Sequence, residues 1–335
     1  MSSSPPHLPL KARLLLAIHS FATQRASRSN YTVNRKLANL FDPKASPSSK
    51  PIKGVSSFDV SIDPSRKLWF RLYNPTSTAN SATSLPLLIY FHGGGFCFLS
   101  ANTKFIDGFC RRLAGQVPAV VASVNYRLAP EHRYPCQYED GFDALKYIDK
   151  MSFQDYNCNV DLKRCFIAGD SAGGNLAHHV VVNAGACNEF ERVKVVGFVA
   201  MQPFFGGEER TDSETRLDGV TNLPLERTDW MWKAFLPEGF DRNHQVVRVF
   251  GPNGVDISSV RFPPTLLFIG GFDPLQDWQR RYREWLEKSG KEVHVVEYPN
   301  AVHGFYTMPD IPESDLLFKE VKDFVKRQSS LERIL

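Results

Sequence analysis

The chain has 335 residues, 42% of them hydrophobic, with 40 Lys and Arg against 36 Asp and Glu and a formal net charge of +4. That size and apolar share fill the core of one large domain, or of one domain with a small appendage. Mixed charge with no basic block interleaved with aromatics argues against a nucleic-acid partner, and no apolar run approaches the length of a membrane span.

Residues 1–6 are rich in Ser and Pro and read as disordered. From Leu8 to Phe21, apolar positions at Leu14, Leu15, Ile18 and Phe21 form a helical stripe. This segment reads either as a basic amphipathic helix on a membrane surface or as a helix packed over the mouth of a site. Its apolar stretch, Leu14 to Ile18, is too short for a secretory signal. A second short helix is expected within 30–40, and a Pro/Ser/Lys-rich linker within 42–53. Residues 1–54 thus form an N-terminal helical cap segment with its linker, and 55–335 the main domain.

Val55 to Ile62 and Leu68 to Tyr73 alternate in polarity and predict an antiparallel hairpin, followed by a polar loop over 75–84. Beyond it, apolar strands at 87–91, 119–125, 165–169, 193–201, 265–269 and 293–298 alternate with helices at 104–115, 140–150, 172–186, 274–289 and 313–327. That alternation predicts an α/β fold, a mostly parallel sheet covered on both faces, with its ligand crevice beyond the carboxyl ends of the strands. Residues 204–249 interrupt the alternation. The apolar helix around Trp230, Met231, Trp232 and Phe235 predicts a cap insertion there that meets the N-terminal helices. Trp230, Trp232 and Phe235 either line a pocket or anchor the cap. No internal repeat is present.

The chemistry concentrates at strand ends. Gly169-Asp170-Ser171-Ala172-Gly173 follows one strand and opens a helix, the context in which G-x-S-x-G marks a nucleophile elbow. Its glycines let neighbouring backbones pass close to a strained serine, and the helix start aims N–H groups at the place where an oxyanion develops. His92-Gly93-Gly94-Gly95-Phe96 follows an earlier strand and supplies the second source of oxyanion amides. The expected donors are the amides of Gly93, Gly94 and Ala172, with Gly95, Phe96 and Asp170 beside the substrate.

A serine needs a base of near-neutral pKa, hence a histidine. Of the nine histidines, His303 sits in a loop just past a late strand, where the chain order Ser, acid, His places the base. His178 and His179 lie on the helix after the serine, directed away from its apex. His294 lies within a strand, and His92 orients the glycine loop. Asp273, after the strand at 265–269, is the expected acid; its competing role is a helix N-cap. Asp277 is its rival. Val302, next to His303, is expected at the substrate.

HGGGF, then Tyr126 to His132, then GDSAGG, then Phe272-Asp273-Pro274-Leu275 and His303-Gly304-Phe305 together resemble the hormone-sensitive-lipase-like branch of the α/β-hydrolases. Within it, Pro203 to Thr211 is similar to a segment typical of the plant carboxylesterases. The resemblance runs from about Leu68 almost to the C-terminus. It implies a cofactor-independent serine carboxylesterase acting on small to medium esters, with Ser171, Asp273 and His303 as nucleophile, acid and base. The plant gibberellin receptor resembles this group too but lacks the catalytic histidine. The alternatives are a dehydratase or cyclase on the same scaffold, or a receptor for a small molecule.

Six cysteines without a C-x-x-C pair or Cys/His ligand spacing read as free thiols in a reduced cytoplasmic or nucleocytoplasmic setting, with no metal site. Oligomeric state is open at this level.

Overall fold

A computed structural model describes residues 8–76, 84–187 and 189–331. The tail at 1–6 and most of the polar loop at 75–84 lie outside the described residues. Eight strands form one sheet: β1 (Val55–Asp63), β2 (Leu68–Pro75), β3 (Leu85–Phe91), β4 (Val120–Asn125), β5 (Val160–Asp170), β6 (Val195–Met201), β7 (Thr265–Phe272) and β8 (Val293–Val302). Their order across the sheet is β1-β2-β4-β3-β5-β6-β7-β8. β1 pairs β2 and β2 pairs β4 antiparallel, as the hairpin pattern requires. Every pairing from β4 to β8 is parallel.

The central strands are buried on both faces: β3 and the second half of β5 show no solvent-facing position. This is why they read as apolar runs rather than as alternation. Helices α3 (Lys104–Gln116), α4 (Cys136–Lys150), α5 (Ala172–Ala186), α8 (Gln276–Lys288) and α9 (Pro312–Leu331) cover the sheet. One core cluster joins α5 and α8 to one face of the sheet, and a second joins α3 and α9 to the other.

Three smaller differences from the sequence expectations have local causes. α4 begins at Cys136 rather than near Asp140, because Tyr138 and Gln137 are buried and its first turn packs. Pro274 lies in the turn before α8, not in its first turn; Asp273 Oδ1 accepts from the Leu275 N–H and shapes that turn. The stretch 42–53 is tied down: the Ala45 N–H donates to the Asn102 carbonyl, and Lys44 bridges to Thr103.

The N-terminal helices α1 (Leu10–Ala26) and α2 (Arg35–Leu40) meet the insertion helices α6 (Asp212–Leu217) and α7 (Leu225–Phe235) through α7. Arg227 donates to the Ser20 carbonyl and hydroxyl, and the Trp230 indole N–H donates to the Arg28 carbonyl at 2.8 Å. α1 packs the wrong way round for its apolar stripe. It buries Ala12, Ala22, Thr23 and Ala26, and leaves Leu14, Leu15, Ile18 and Phe21 outside. Small side chains let its backbone lie close, so the large ones were displaced to the far side.

All six cysteines are free; Cys97, Cys110, Cys158 and Cys165 are buried, and burial pushes the Cys97 thiol up to about 12. Among the described residues no cluster of three or more His, Cys, Asp or Glu could hold a metal, and no helix is long and apolar enough to cross a membrane.

Candidate active site

β5 ends at Asp170, and the chain turns at Ser171, with φ 51° and ψ −120°, directly into α5. This left-handed conformation is unfavourable for any residue with a β-carbon, and it persists because its surroundings over-determine it. The Ser171 N–H donates to the Met201 carbonyl, and the Ser171 carbonyl accepts from the N–H groups of Gly174, Asn175 and Phe204. The flanking glycines are required sterically. A β-carbon on Gly169 would lie 2.1 Å from the Gly173 carbonyl oxygen, and one on Gly173 would lie 2.0 Å from that of Phe91.

The ends of β5, β7 and β8 bring three expected residues together. His303 Nδ1–H donates to Asp273 Oδ2 at 2.9 Å, so in the neutral ring Nε2 is left to accept from the Ser171 hydroxyl, also at 2.9 Å. Asp273 is fully buried and uses both oxygens. Oδ2 also accepts from Gln279 Nε2, while Oδ1 takes the capping contact that competed as its sole role. Asp277 is directed elsewhere, to the Ser213 N–H.

Burial by itself disfavours the charged form of His303, but the Asp273 carboxylate outweighs it and raises the pKa above 6.5. Gln202, itself at φ 45°, brackets this ring: its Nε2 donates to the Val302 carbonyl and its Oε1 accepts from the Gly304 N–H. Val302 is therefore buried and engaged through its backbone.

On the other side of Ser171 the glycine loop differs from expectation at one amide. Gly93 N–H donates to Asp170 Oδ1 at 2.8 Å and is thus already engaged. The N–H groups of Gly94, Gly95 and Ala172 make no hydrogen bond among the described residues. Asp170 is wholly enclosed, accepting from Tyr90 at 2.5 Å and Tyr306 at 3.1 Å as well as from Gly93. Burial raises its pKa, against three hydrogen bonds that favour the carboxylate. It is thus a brace for the loop rather than a wall of the pocket. His92 braces the same loop: it stacks on Tyr126 at 4.4 Å, and its Nδ1–H donates to the Gly93 carbonyl.

The expected pocket residues divide. Phe96 stacks on Phe235 at 3.9 Å and Trp232 stacks on Phe204 at 4.1 Å, all of them buried. These aromatics anchor the cap, each such pair adding about 0.5–1.5 kcal/mol beyond area burial. Trp230 is half-buried and leans on Phe98. Gly95 lies beneath the Met231 side chain, so close that a β-carbon there would sit 2.2 Å from its sulfur. Met231, Gln202, Gln279, Tyr90 and Tyr306 had no local signal in the sequence, since each acts across the fold. A cavity of about 520 Å³ opens beside the loop, between α1, α2 and the start of β2, lined by His19, Lys67, Trp69 and Phe98 among others; none of Ser171, Asp273 and His303 lines it.

Buried imidazoles outside the Ser171–His303–Asp273 relay favour the fold at neutral over acid pH. Burial lowers His92 and His179 from 6.5 to about 4, and His178, bonded to the Tyr282 hydroxyl, well below 6.5. The unfolded chain binds these protons from pH 6.5 downwards and the folded one does not, so the stability is present above 6.5 and is lost as pH falls toward 4. His303 acts in the opposite sense, as its raised pKa favours folding on the acid side. A ring held at about 4 rather than 6.5 loses about 3 kcal/mol by the time the pH reaches its folded value. The unfolding midpoint followed by circular dichroism should therefore fall steadily from pH 6.5 to pH 4.5. A flat midpoint over that window would show that these rings take up protons inside the fold.

A strand–elbow–helix serine, a relayed histidine and carboxylate at neighbouring strand ends, and a glycine loop with free amides define the hydrolase class of the α/β architecture. A family model described as alpha/beta hydrolase fold matches residues 88–307. The chain belongs to this family, on the branch of the plant carboxylesterases, with gibberellin receptors also close. It is 40% identical to the gibberellin receptor GID1C of Arabidopsis thaliana over 96% of this chain and 95% of that one. It is 34% identical to carboxylesterase 20 of Arabidopsis thaliana over 88% of this chain and 92% of that one. Among solved structures it resembles the ester hydrolase EH1AB1 from the Lake Arreo metagenome, with TM-score 0.76 and 26% identity, covering 97% of this chain and 100% of that one.

Proposed function

We propose that the protein is a serine carboxylesterase acting on small to medium esters without a cofactor. Ser171 Oγ attacks the ester carbonyl as His303 Nε2 takes its proton. The oxyanion forms against the N–H groups of Gly94, Gly95 and Ala172, with Gly93 holding the loop to Asp170. His303 returns the proton to the departing alcohol, and water activated by the same ring releases the acid. The observation that carries this reading is the unbroken relay from Ser171 through His303 to Asp273, at 2.9 Å for each link.

A receptor is the second reading, because a relative named as a gibberellin receptor matches more of this chain, at higher identity, than the carboxylesterase does. Against it, a binder has no use for a base held on a serine. Turnover of p-nitrophenyl acetate and butyrate, together with fluorophosphonate labelling located by mass spectrometry, separates the readings. Turnover with an adduct on Ser171 is expected. Neither signal would assign the chain to a receptor role, and an adduct without turnover to an elimination or cyclisation on the same scaffold.

The pH profile tests the base. Only neutral His303 accepts a proton, and its pKa lies above 6.5, so kcat/KM should rise with pH through a limb above 6.5. In Asp273→Asn the charge that raises this pKa is gone and burial alone acts, so the limb should move to lower pH. The plateau should drop by about 10⁴ because the ring loses its tautomer. An unmoved limb would exclude His303 as the titrating base.

A further inference from the structure

The outer face of α1 exposes a row of large apolar side chains. Leu10, Leu14, Ile18 and Phe21 fall on one helical stripe and are 80%, 59%, 44% and 51% exposed, with Leu15 beside them at 50%. The patch continues across the cap. Phe21 meets Phe41 edge-on at 6.4 Å, Leu40 stands exposed at the end of α2, and Phe105 packs edge-on against His19. Soluble proteins rarely leave contiguous apolar surface of this kind without a use for it. It does not serve the interior, because α1 already packs through Ala12, Ala22, Thr23 and Ala26.

Basic residues predominate around the patch. The α1 sequence, Leu10 to Ala26, contains Lys11, Arg13 and Arg25 and no acidic residue, and Arg28 and Lys36 follow. Arg25 lies over the Phe21 ring at 5.3 Å. Of the carboxylates close by, Asp310 pairs with Lys11 and Asp42 with Lys44. Exposed apolar side chains set among basic ones match a layer that is apolar within and anionic at its surface.

We propose that the outer face of α1 docks the protein on anionic lipid surfaces, the leucines and Phe21 entering the headgroup boundary and the basic residues pairing with lipid phosphate and carboxylate groups. An amphipathic helix lying in a membrane interface embeds its apolar face about 5–10 Å into that boundary. Because Arg227 of α7 bonds to Ser20 of α1 and Trp230 to Arg28 just beyond it, docking would bring the cap and the rim that holds Ser171 against the lipid. The inference does not depend on the esterase reading, since its readout is binding alone.

The test is co-sedimentation of the full chain with vesicles of phosphatidylcholine, with and without phosphatidylserine, at low and high salt. Binding to the phosphatidylserine vesicles is expected, weakening at least about tenfold in high salt as the charges are screened. The double variant Leu14→Asp, Ile18→Asp should lose at least about tenfold in partitioning, with its unfolding midpoint and its labelling at Ser171 unchanged. Arg13→Glu with Arg25→Glu should weaken binding to the anionic vesicles only. Absence of wild-type binding to either vesicle would overturn the proposal and leave the patch to a protein partner. A concentration-dependent dimer, seen by light scattering and abolished by Leu14→Asp, would overturn it in favour of a second copy of the chain. Undiminished binding by the Asp variant would do so too.

Discussion

Ser171→Ala is expected to lower turnover of a p-nitrophenyl ester by about 10⁶ and to abolish fluorophosphonate labelling, while the unfolding midpoint stays near that of the wild type. The size of the loss follows from the shared role of the relay. Without Oγ there is no acyl-enzyme, and His303 and Asp273 have nothing to activate. What survives is the background provided by the free amides of Gly94, Gly95 and Ala172 acting on a bound ester, so activity should not vanish altogether. The fold should tolerate the change because alanine keeps the β-carbon whose left-handed φ of 51° is already accommodated. The Ser171 hydroxyl is bonded to His303 alone among the described residues. Stopped-flow measurement of the acylation burst gives the clearest readout, and a variant that keeps its burst would remove Ser171 from the mechanism.

Gly173→Ala is expected to have the largest effect on folding. The new β-carbon would stand 2.0 Å from the Phe91 carbonyl oxygen and 2.6 Å from that of His92. Both contacts are with backbone, so no side chain can swing aside. Relief would require α5 to move off the end of β3, which would pull Ser171 and the glycine loop apart. A penalty above about 4 kcal/mol places this among the rare severe substitutions, and loss of soluble, cooperative unfolding protein is the expected result. The matched control is Gly108→Ala in the interior of α3, where a β-carbon meets nothing within 4 Å. There the gain in helix propensity should stabilise by about 0.5–1 kcal/mol. Equal urea midpoints for the two variants would show that the α5–β3 approach is looser than described.

These two sites also mark what can be read locally. Gly169, Ser171 and Gly173 are legible because the constraint is carried by neighbours in the chain: a strand, a sharp turn and a helix leave room for glycine alone on either side of the apex. The strand–helix alternation from β3 to α9 is legible for a similar reason, since a parallel strand buried on both faces must be a short apolar run. Asp273 and His303 are legible from chain order after strand ends, and the fold brings both to Ser171 through the parallel pairings β5–β6–β7–β8.

The remaining assignments needed the third dimension. Gly93, Gly94 and Gly95 are equivalent in the sequence, and they differ only because Asp170, held by Tyr90 and Tyr306, takes the Gly93 amide. Phe96, Trp232 and Phe235 look like pocket aromatics along the chain, yet mutual stacking between the cap and the glycine loop draws them inside. The leucine stripe of α1 has a period that any amphipathic helix would show. Which face turns inward was decided by the close approach that Ala12, Ala22 and Ala26 permit. Periodicity and motif spacing thus determined the main strands and helices, their mostly parallel direction and the position of Ser171, Asp273 and His303 just past strand ends, because those depend on neighbours and on direction along the chain. The choice among chemically identical amides, and between the inside and the outside of an apolar side chain, belonged to the tertiary structure, because it depends on which distant groups arrive to compete for them.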